Sequence, residues 1–227
     1  MTVADRLRTV NERITQAAER SGRSPDSVKL VGVSKTFSPA LIVEAVEAGL
    51  TDVGENRVQE AAEKILEVNH ALPVPPRWHL VGHLQSNKAK TAAALFDVID
   101  SLDSASLAMK LSQVAPKAPL PVMVEVQFAP TPGRFGFAPS QVADTIDEIA
   151  SLPNLTPRGL MTVAPLGLST DDTRQVFRQL RECRDQIQDT RPALGPLALS
   201  MGMSEDFELA IAEGSTEVRI GRAIFGN

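Results

Sequence analysis

Short β-rich segments alternate with helical segments along this chain, and that alternation restricts its fold more than any other feature does. Strands are expected at residues 29–35, 52–56, 77–82, 98–102, 122–128, 158–163, 198–201 and 217–220. Helices are expected at about 39–49, 57–69, 85–94, 104–115, 139–151, 170–189 and 205–213, and an extra helix at 3–21 precedes the first strand. Eight such repeats predict an α/β fold, a (β/α)8 TIM barrel with an extra N-terminal helix. An open doubly wound sheet is the alternative.

Residues typical of helix ends support several of these boundaries. Ser38 and Pro39 are typical of a helix start, and Gly49 is typical of the end of that helix. Ser204 is expected to cap the last of these helices, and Gly214 to close it. Because no linker, low-complexity run or shift in composition interrupts the pattern, residues 1–227 are expected to form one domain.

Composition excludes several classes of protein. The 227 residues are 43% hydrophobic and 22% charged with a net charge of −5, and no basic stripe points to nucleic acid as a partner. No apolar run is long enough to span a bilayer, and the N-terminus lacks the apolar core of a signal peptide. The single cysteine, Cys183, excludes an internal disulfide and favours a reducing cytoplasm.

Lys35, at the end of the first expected strand, is the candidate nucleophile. Side chains alternate along a strand, so Lys35 shares a face with Val31 and Val33. The carboxyl ends of barrel strands carry the active site, and a partly desolvated lysine there is free to attack a carbonyl group. A lysine whose amine simply extends into solvent at the rim is the alternative.

Asn56 ends the second expected strand and would lie near Lys35. His79 and His83 are four residues apart, a spacing that shares one face only on a helix, whereas here they fall on a strand and the loop after it. Because no cluster of cysteine and histidine accompanies them, no metal site is expected.

Glycines near the end of the chain form a candidate phosphate site. Barrels often bind phosphate beside the loops after strands seven and eight, where Ser200, Gly202, Gly221 and Gly226 are expected. A hydroxyl of Ser200 and the backbone N–H groups of Gly221 and Arg222 can donate to an anion. Glu205 and Asp206 begin the helix after Ser204 and would repel an anion at its N-terminus, so the phosphate is placed elsewhere. Glycines that serve only as turn residues are the alternative.

Six segments together resemble one known family, the pyridoxal phosphate homeostasis proteins of the YggS/PROSC type. They are Val31-Gly-Val-Ser-Lys35-Thr, Asp52-Val-Gly-Glu-Asn56 with Val58-Gln-Glu60, Trp78-His-Leu-Val-Gly-His-Leu-Gln-Ser-Asn-Lys88, Gly159-Leu-Met161, Leu199-Ser-Met-Gly-Met-Ser204, and Val218-Arg-Ile-Gly221 with Ala223-Ile-Phe-Gly226. The resemblance runs in order from about residue 28 to the C-terminus, which makes it far more specific than any single segment.

The resemblance implies a barrel similar to the N-terminal domain of alanine racemase and a bound pyridoxal 5′-phosphate (PLP). By resemblance, Lys35 is the lysine that forms the internal aldimine (a Schiff base) with PLP. The remaining implied cofactor-binding residues are Ser200, Gly221 and Arg222 at the phosphate, Arg219 at the pyridine nitrogen, and Asn56, His79 and Met161 lining the ring. The family implies a cytoplasmic monomer that takes part in vitamin B6 homeostasis, with PLP-dependent apoenzymes as partners and no established catalytic reaction.

Two positions depart from the family. Tyrosine often follows the Glu-Asn pair, where this chain has Arg57, and a lysine often precedes Gly-Phe in the loop after the fifth strand, where this chain has Arg134-Phe-Gly-Phe137. Both departures are expected to alter the rim of the site without touching Lys35 or the phosphate residues.

The chain has no tyrosine, and this bears on catalysis. Arginine stays protonated, so Arg219 would leave the pyridine nitrogen unprotonated and weaken the ring as an electron sink. Alanine racemase pairs its lysine with a tyrosine, which this chain cannot supply. A PLP-binding homeostasis protein without turnover is therefore expected, with no catalytic residues. A one-base PLP enzyme acting on amino acids and a cofactor-free Schiff-base aldolase are the alternatives.

Overall fold

The computed structural model describes residues 1–115, 119–128 and 133–226, and in it eight parallel strands close into a barrel. The strands are β1 (Lys29–Val33), β2 (Asp52–Glu55), β3 (Arg77–Leu80), β4 (Val98–Leu102), β5 (Leu120–Glu125), β6 (Leu155–Met161), β7 (Ala198–Ser200) and β8 (Glu217–Ile220). They pair in chain order, and β8 returns to β1 through pairs such as Val31 with Arg219. The predicted TIM barrel is thus confirmed, and the doubly wound sheet is excluded.

Helices cover the outside of the barrel. They are α1 (Val3–Arg20), α2 (Pro39–Glu47), α3 (Val58–Ala71), α4 (Ala89–Leu95), α5 (Ala105–Val114), α6 (Val142–Ser151), α7 (Thr170–Thr190), α8 (Phe207–Ala212) and α9 (Arg222–Phe225). Short 3-10 turns at Pro25–Ser27, Ser86–Lys88, Pro139–Gln141 and Pro192–Leu194 join some of these elements. None of the helices in the described part of the chain is both long and apolar enough to cross a membrane.

The extra helix α1 begins at a capping box, in which the Thr2 hydroxyl accepts from the Asp5 N–H and the Asp5 carboxylate accepts from the Thr2 N–H. Its apolar stripe, which includes Leu7, Val10 and Ile14, is buried. The Arg6 guanidinium donates to the carbonyl of Ile224 at 2.6 Å and to that of Phe225. The helix therefore ties the start of the chain to α9 at its end.

The interior of the protein has two layers of side chains, one outside the ring of strands and one inside it. Apolar side chains fill the space between strands and helices, whereas the inside of the barrel holds many polar groups. The direction of each side chain follows from alternation: a Cβ on Gly32 would collide with Leu50 outside the barrel, so Val31 and Val33 point inward. A Cβ on Gly54 would approach Val31 and Val33, which places that glycine inside as well.

Several boundaries differ from expectation. The first three strands end one or two residues early because the chain turns at the barrel rim, and the strand expected from residue 122 begins at Leu120. β6 begins at Leu155, because pairing with β5 extends across Pro157 and a register shift. Helix α8 follows Asp206, so the expected cap at Ser204 is wrong, whereas Gly49 and Gly214 lie at the expected helix ends with positive φ. The short helix α9 was not expected.

Candidate functional site

The carboxyl ends of the strands surround an opening of the barrel, called the mouth below. Its residues are Ser34 and Lys35 after β1, Asn56 after β2, Glu125 at the end of β5, Met161 at the end of β6, Ser200 at the end of β7, Arg219 on β8 and Gly221 after it. Every residue predicted for the site except His79 and Arg222 belongs to this set. Because β8 pairs with β1, the strands that carry Arg219 and lead to Lys35 are neighbours.

Lys35 lies in the turn after β1, and its side chain is exposed. Strand β1 ends at Val33, and the Phe37 N–H donates to the Ser34 carbonyl at 2.7 Å to close the turn. The expectation that Lys35 would end a strand and be partly desolvated is therefore wrong, because the turn carries it beyond the apolar side chains that precede it. Its amine is placed at the rim, open to an incoming ligand.

The turn that carries Lys35 is anchored from below by Glu55. The hydroxyl of Ser34 donates to Glu55 Oε1 at 2.6 Å, and the ammonium of Lys64 on α3 donates to the same oxygen at 3.1 Å. Burial raises the pKa of Glu55, although the Ser34 hydrogen bond and the Lys64 charge oppose that rise. Lys64 also donates to Glu60 at 2.8 Å, so two carboxylates surround this mostly buried ammonium.

Asn56 is exposed and follows β2, two residues beyond Gly54. Gly54 pairs with Val33, so Asn56 and Lys35 follow neighbouring strand ends as predicted. The loop after β3 packs against the Asn56 backbone, where a Cβ on Gly82 would lie within 2.4 Å of the Asn56 carbonyl oxygen. Glycine is therefore required at position 82 for the two loops to meet.

Arg219 is buried inside the barrel and binds two neighbouring strand ends. Its Nη1 donates to Ser200 Oγ at 2.6 Å, and its Nη2 donates to the Thr162 carbonyl at 2.8 Å. Burial lowers the pKa of Arg219, and the charges of four carboxylates oppose that effect; they belong to Asp100, Glu217, Glu125 and Asp206. The guanidinium is thus fixed in place by two of its five N–H groups.

Met161 lies between Glu125 and Ser200 on the two neighbouring strands. It ends β6, is buried, and pairs with Ser200 on β7 and with Glu125 on β5. The fold therefore places an apolar side chain beside the polar pair of Arg219 and Ser200.

The candidate phosphate cradle is built on close backbone packing. A Cβ on Gly221 would lie 2.9 Å from the Val33 carbonyl oxygen, so only glycine lets the loop after β8 approach β1 this closely. Gly202 has φ +97°, and a Cβ there would lie 2.6 Å from the Cβ of Ala210. The Arg219 N–H donates to the Gly202 carbonyl at 3.0 Å, which holds the loops after β7 and β8 together beside Ser200.

The acidic residues near this cradle are engaged with other groups. Glu205 accepts a 2.5 Å hydrogen bond from the exposed guanidinium of Arg222, and Asp206 Oδ1 accepts from the Met203 N–H at 2.6 Å. The helix begins only at Phe207, with Asp206 as its N-cap and Glu208 in its first turn, so the expectation that Glu205 and Asp206 would occupy that turn is wrong, although acidic charge remains at this helix start.

His79 belongs to a network of charged side chains at the floor of the barrel, below the mouth. Its Nδ1 bonds to Asp100 at 2.8 Å and its Nε2 bonds to Asp52 at 3.0 Å, with the ring fully buried. Burial acts to lower the pKa of His79, but the Asp100 charge and the hydrogen bonds to both carboxylates raise it to about 9. His79 is therefore an imidazolium at neutral pH.

Two further cations complete this floor network. The Lys29 ammonium donates to Asp52 at 3.0 Å, and the Arg158 guanidinium donates to Glu217 at 2.8 Å and lies 3.9 Å from Asp100. Burial alone would lower the pKa of Arg158. The charge of Glu217 and its hydrogen bond outweigh burial and raise the pKa of Arg158. With His79 protonated, three cations balance three carboxylates.

One group within the floor network has the geometry of a metal site. Atoms of His79, Asp100 and Glu217 lie within 4.8 Å of one another. Both nitrogens of His79 already bond to carboxylates, and Arg158 approaches both Asp100 and Glu217. Each of the three side chains therefore already has a hydrogen-bond partner within the protein.

Two residues in the loop after β5 contact the loops after β3 and β6. Phe135 stacks on His83 with ring centroids 3.6 Å apart, and His83 Nδ1 bonds to Asp103 at 2.5 Å. Arg134, one of the two departures from the family, donates to the Val163 carbonyl at 2.8 Å. The other, Arg57, is exposed at the start of α3.

The sequence interpretation missed the residues that surround Arg219. Glu125 ends β5 at the mouth, and burial raises its pKa to about 7. The charge of Asp103 acts in the same direction as burial, whereas the charges of Arg219 and Arg134 oppose it. Arg158 and Glu217 were treated as strand residues without a role. The available signal was the unusual presence of charged residues within otherwise apolar strands.

Comparison with known proteins first defines the class. Residues 6–227 match the family model described as the N-terminal domain of alanine racemase. An alanine racemase of Clostridium difficile 630 shares the fold, with a TM-score of 0.71 and 16% identity over 98% of this chain and 60% of that one. The protein is thus a barrel of the alanine racemase N-terminal type.

Closer relatives define the family. The chain is 40% identical over 228 residues to the pyridoxal phosphate homeostasis protein of Aquifex aeolicus (strain VF5), covering 100% of this chain and 98% of that one. For the protein of the same name from Escherichia coli (strain K12), identity is 37% over 229 residues, covering 99% and 96%. PipY of Synechococcus elongatus PCC7942 with PLP bound gives a TM-score of 0.86 at 38% identity, covering 99% and 100%. The chain belongs to the pyridoxal phosphate homeostasis protein family.

Proposed function

We propose that this protein binds PLP in the mouth of the barrel, holds it through an imine bond to Lys35, and takes part in intracellular PLP homeostasis without catalytic turnover. The observation that carries the proposal is the fixed pair of Arg219 and Ser200 on strand ends beside the strand that leads to Lys35. In a phosphorylated pyridine aldehyde, the amine of Lys35 would match the aldehyde and the guanidinium of Arg219 would match the pyridine nitrogen. The cradle of hydroxyl and backbone donors would match the phosphate.

The donor set fits this cofactor. The Ser200 hydroxyl accepts from Arg219 and keeps its own proton to donate to a phosphate oxygen. Backbone N–H groups of Gly221 and Arg222 lie at the start of the short helix α9, where N–H groups lack acceptors within a helix. Close packing at Gly221 brings these N–H groups beside the end of β1, the strand that leads to Lys35. Arg219 would face the pyridine nitrogen, and Met161 with Asn56 and, from below, His79 would line the ring.

The lack of turnover is supported by the charges around Arg219. Burial lowers the pKa of Arg219 and four carboxylates oppose that effect; because an arginine side chain stays protonated in proteins, Arg219 would not give its proton to the pyridine nitrogen. When bound, PLP supplies an electrophilic aldehyde and an electron-accepting ring. Arg219 leaves that ring a weak electron acceptor, and the chain has no tyrosine to act opposite Lys35. This chemistry favours storage of the cofactor and its delivery to PLP-dependent apoenzymes, and the family resemblance favours a cytoplasmic monomer.

The test of the anchor is an absorbance spectrum of the protein incubated with PLP, before and after borohydride, with peptide mapping of the reduced product. We expect a band near the visible edge that disappears on reduction and leaves a pyridoxyl group on Lys35. Lys35→Ala should lose the band while remaining folded, and Lys90→Ala, which changes an exposed lysine of α4, should keep it. A colourless wild-type protein, or a band that survives in Lys35→Ala, would contradict the proposal.

The absence of turnover needs a separate assay. Incubation of the PLP-loaded protein with D- and L-amino acids in deuterium oxide should give no exchange of the α-proton above the rate of free PLP. Exchange that depends on Lys35 would instead identify a one-base PLP enzyme.

A further inference from the structure

Glu125 lies across the mouth from the strand that leads to Lys35. In a closed ring of eight strands, β5 stands opposite β1. Arg158, inside the barrel, contacts Met123 at 3.8 Å, so Met123 points inward, and alternation gives Glu125 the same direction. The Glu125 carbonyl accepts from the Phe137 N–H at 2.8 Å, which fixes the strand end that carries it.

The charged groups facing Glu125 come from three elements. The charges of Arg219 on β8 and Arg134 in the loop after β5 lower its pKa, and the charge of Asp103 in the loop after β4 raises it. Each of these three has another partner: Arg219 binds Ser200 and Thr162, Asp103 binds His83, and Arg134 binds the Val163 carbonyl. Among the residues that the structure describes, none forms an ion pair with the Glu125 carboxylate within 4.0 Å.

We infer that Glu125 is a proton-linked gate residue for the ligand of the mouth: a phosphorylated anionic ligand binds with Glu125 protonated and is released when Glu125 ionises. This inference rests on the proposed function, since it takes the ligand to be a phosphorylated pyridine held at Ser200 and Arg219. A bound dianion repels the carboxylate across a partly desolvated mouth, so the ligand and the ionised form of Glu125 oppose each other.

Ligand binding is coupled to proton uptake by Glu125. At a pH between the pKa of Glu125 in the unliganded protein, about 7, and its higher pKa in the complex, binding takes up as much as one proton from solvent and converts the carboxylate to a carboxylic acid. That acid can then donate a hydrogen bond to the ligand, whereas the carboxylate can only accept one. Affinity should therefore fall as the pH rises through 7, and Glu125 would set how firmly the ligand is held near neutral pH.

The test uses pyridoxine 5′-phosphate, in which an alcohol replaces the aldehyde, so that Lys35 cannot form a covalent bond and its chemistry does not enter. Dissociation constants are measured from pH 5.5 to 8.5 for wild type, Glu125→Gln and Glu67→Gln, the last a control on the exposed face of α3. The ligand's own phosphate ionises equally in all three, so ratios between proteins isolate Glu125.

We expect Glu125→Gln to bind as wild type does at pH 5.5 and at least threefold more tightly at pH 8.5, with Glu67→Gln following wild type throughout. Calorimetry in two buffers of different ionisation enthalpy should show that wild type takes up more protons per ligand at pH 7.5 than Glu125→Gln does. The wild-type proton count also stands alone if the variant folds poorly, because uptake by the ligand's phosphate is calculable from its own titration.

Parallel pH profiles for wild type and Glu125→Gln, with equal proton uptake, would overturn the role of Glu125 and leave the proposed function in place. If neither protein binds pyridoxine 5′-phosphate at any pH and neither forms a band with PLP, the proposed function fails and this inference fails with it. The two failures are therefore distinguishable.

Discussion

Arg219 and Ser200, on neighbouring strands, are joined by a 2.6 Å hydrogen bond from Nη1 to Oγ inside the barrel mouth. The hydroxyl accepts from the guanidinium, so its remaining proton is free to point away from Arg219. Arg219 thus orients the hydroxyl that Ser200 presents. This one hydrogen bond joins the proposed pyridine-binding end of the site to the proposed phosphate-binding end.

Ser200→Ala should weaken binding of pyridoxine 5′-phosphate about tenfold, because one hydrogen bond to a charged group is worth roughly 1.5 kcal/mol. Binding of unphosphorylated pyridoxine should change little. Equilibrium titration with both ligands provides the measurement, and Ser106→Ala, on the exposed start of α5, provides the control. Equal losses for both ligands would place the phosphate away from Ser200.

Gly221→Ala should disturb the cradle and the fold together. The new Cβ would lie 2.9 Å from the Val33 carbonyl oxygen, a backbone atom that cannot rotate away. We expect a loss of about 1–2 kcal/mol in the free energy of unfolding and weaker binding of inorganic phosphate. Urea unfolding and phosphate titration measure the two effects. Wild-type stability in this variant would mean that the loop after β8 does not pack on β1 as described.

His79 should make stability fall at alkaline pH. Its pKa of about 9 in the folded protein exceeds the ordinary 6.5 of the imidazole, so its stabilising charge is fully present below about pH 6.5 and is lost as pH rises through 9. The loss is about 3 kcal/mol at most, since one pKa unit corresponds to about 1.4 kcal/mol. Urea unfolding of wild type and His79→Gln at pH 6 and 9.5 should show a larger fall for wild type. Equal falls would show that His79 is neutral in the folded protein.

Lys64 and Glu55 should behave as a coupled pair beneath the turn that carries Lys35. Lys64→Met leaves the Glu55 carboxylate buried without its cation, which typically costs about 3–5 kcal/mol. Adding Glu55→Gln removes that charge, so the double variant should recover much of the loss. Unfolding of the two single variants and the double variant completes the cycle. Additive losses would indicate that the two side chains do not interact.

The barrel could be predicted because strand and helix patterns alternate through the chain, and parallel pairing in a ring needs little more than that order. The extension of β6 back to Leu155 could not, since Pro157 interrupts a strand pattern just before the expected start at Arg158. The added residues form a strand because closure of the ring requires an edge for β5 to pair with, and a register shift accommodates the proline.

The candidate site was predictable where a residue directly follows a strand end, as for Asn56, Ser200 and Gly221. Lys35 was placed at the correct end of the barrel but on a strand that stops at Val33. Glu125 was missed because a charged residue in Val122-Met-Val-Glu-Val126 could face either side of a sheet. Only the closed ring shows that its side chain points into the mouth.

The pairing of β1 with β8 has a consequence for when this protein can take up its ligand. The turn with Lys35 is made early in synthesis, while Arg219 and Gly221, on and after the last strand, are made almost at the end. A nascent chain therefore carries the amine long before the groups that would hold a phosphate beside it, and any earlier capture of an aldehyde would be loose and reversible. In the proposed binding mode, the full set of groups that would hold the ligand exists only after β8 has paired with β1 and closed the ring.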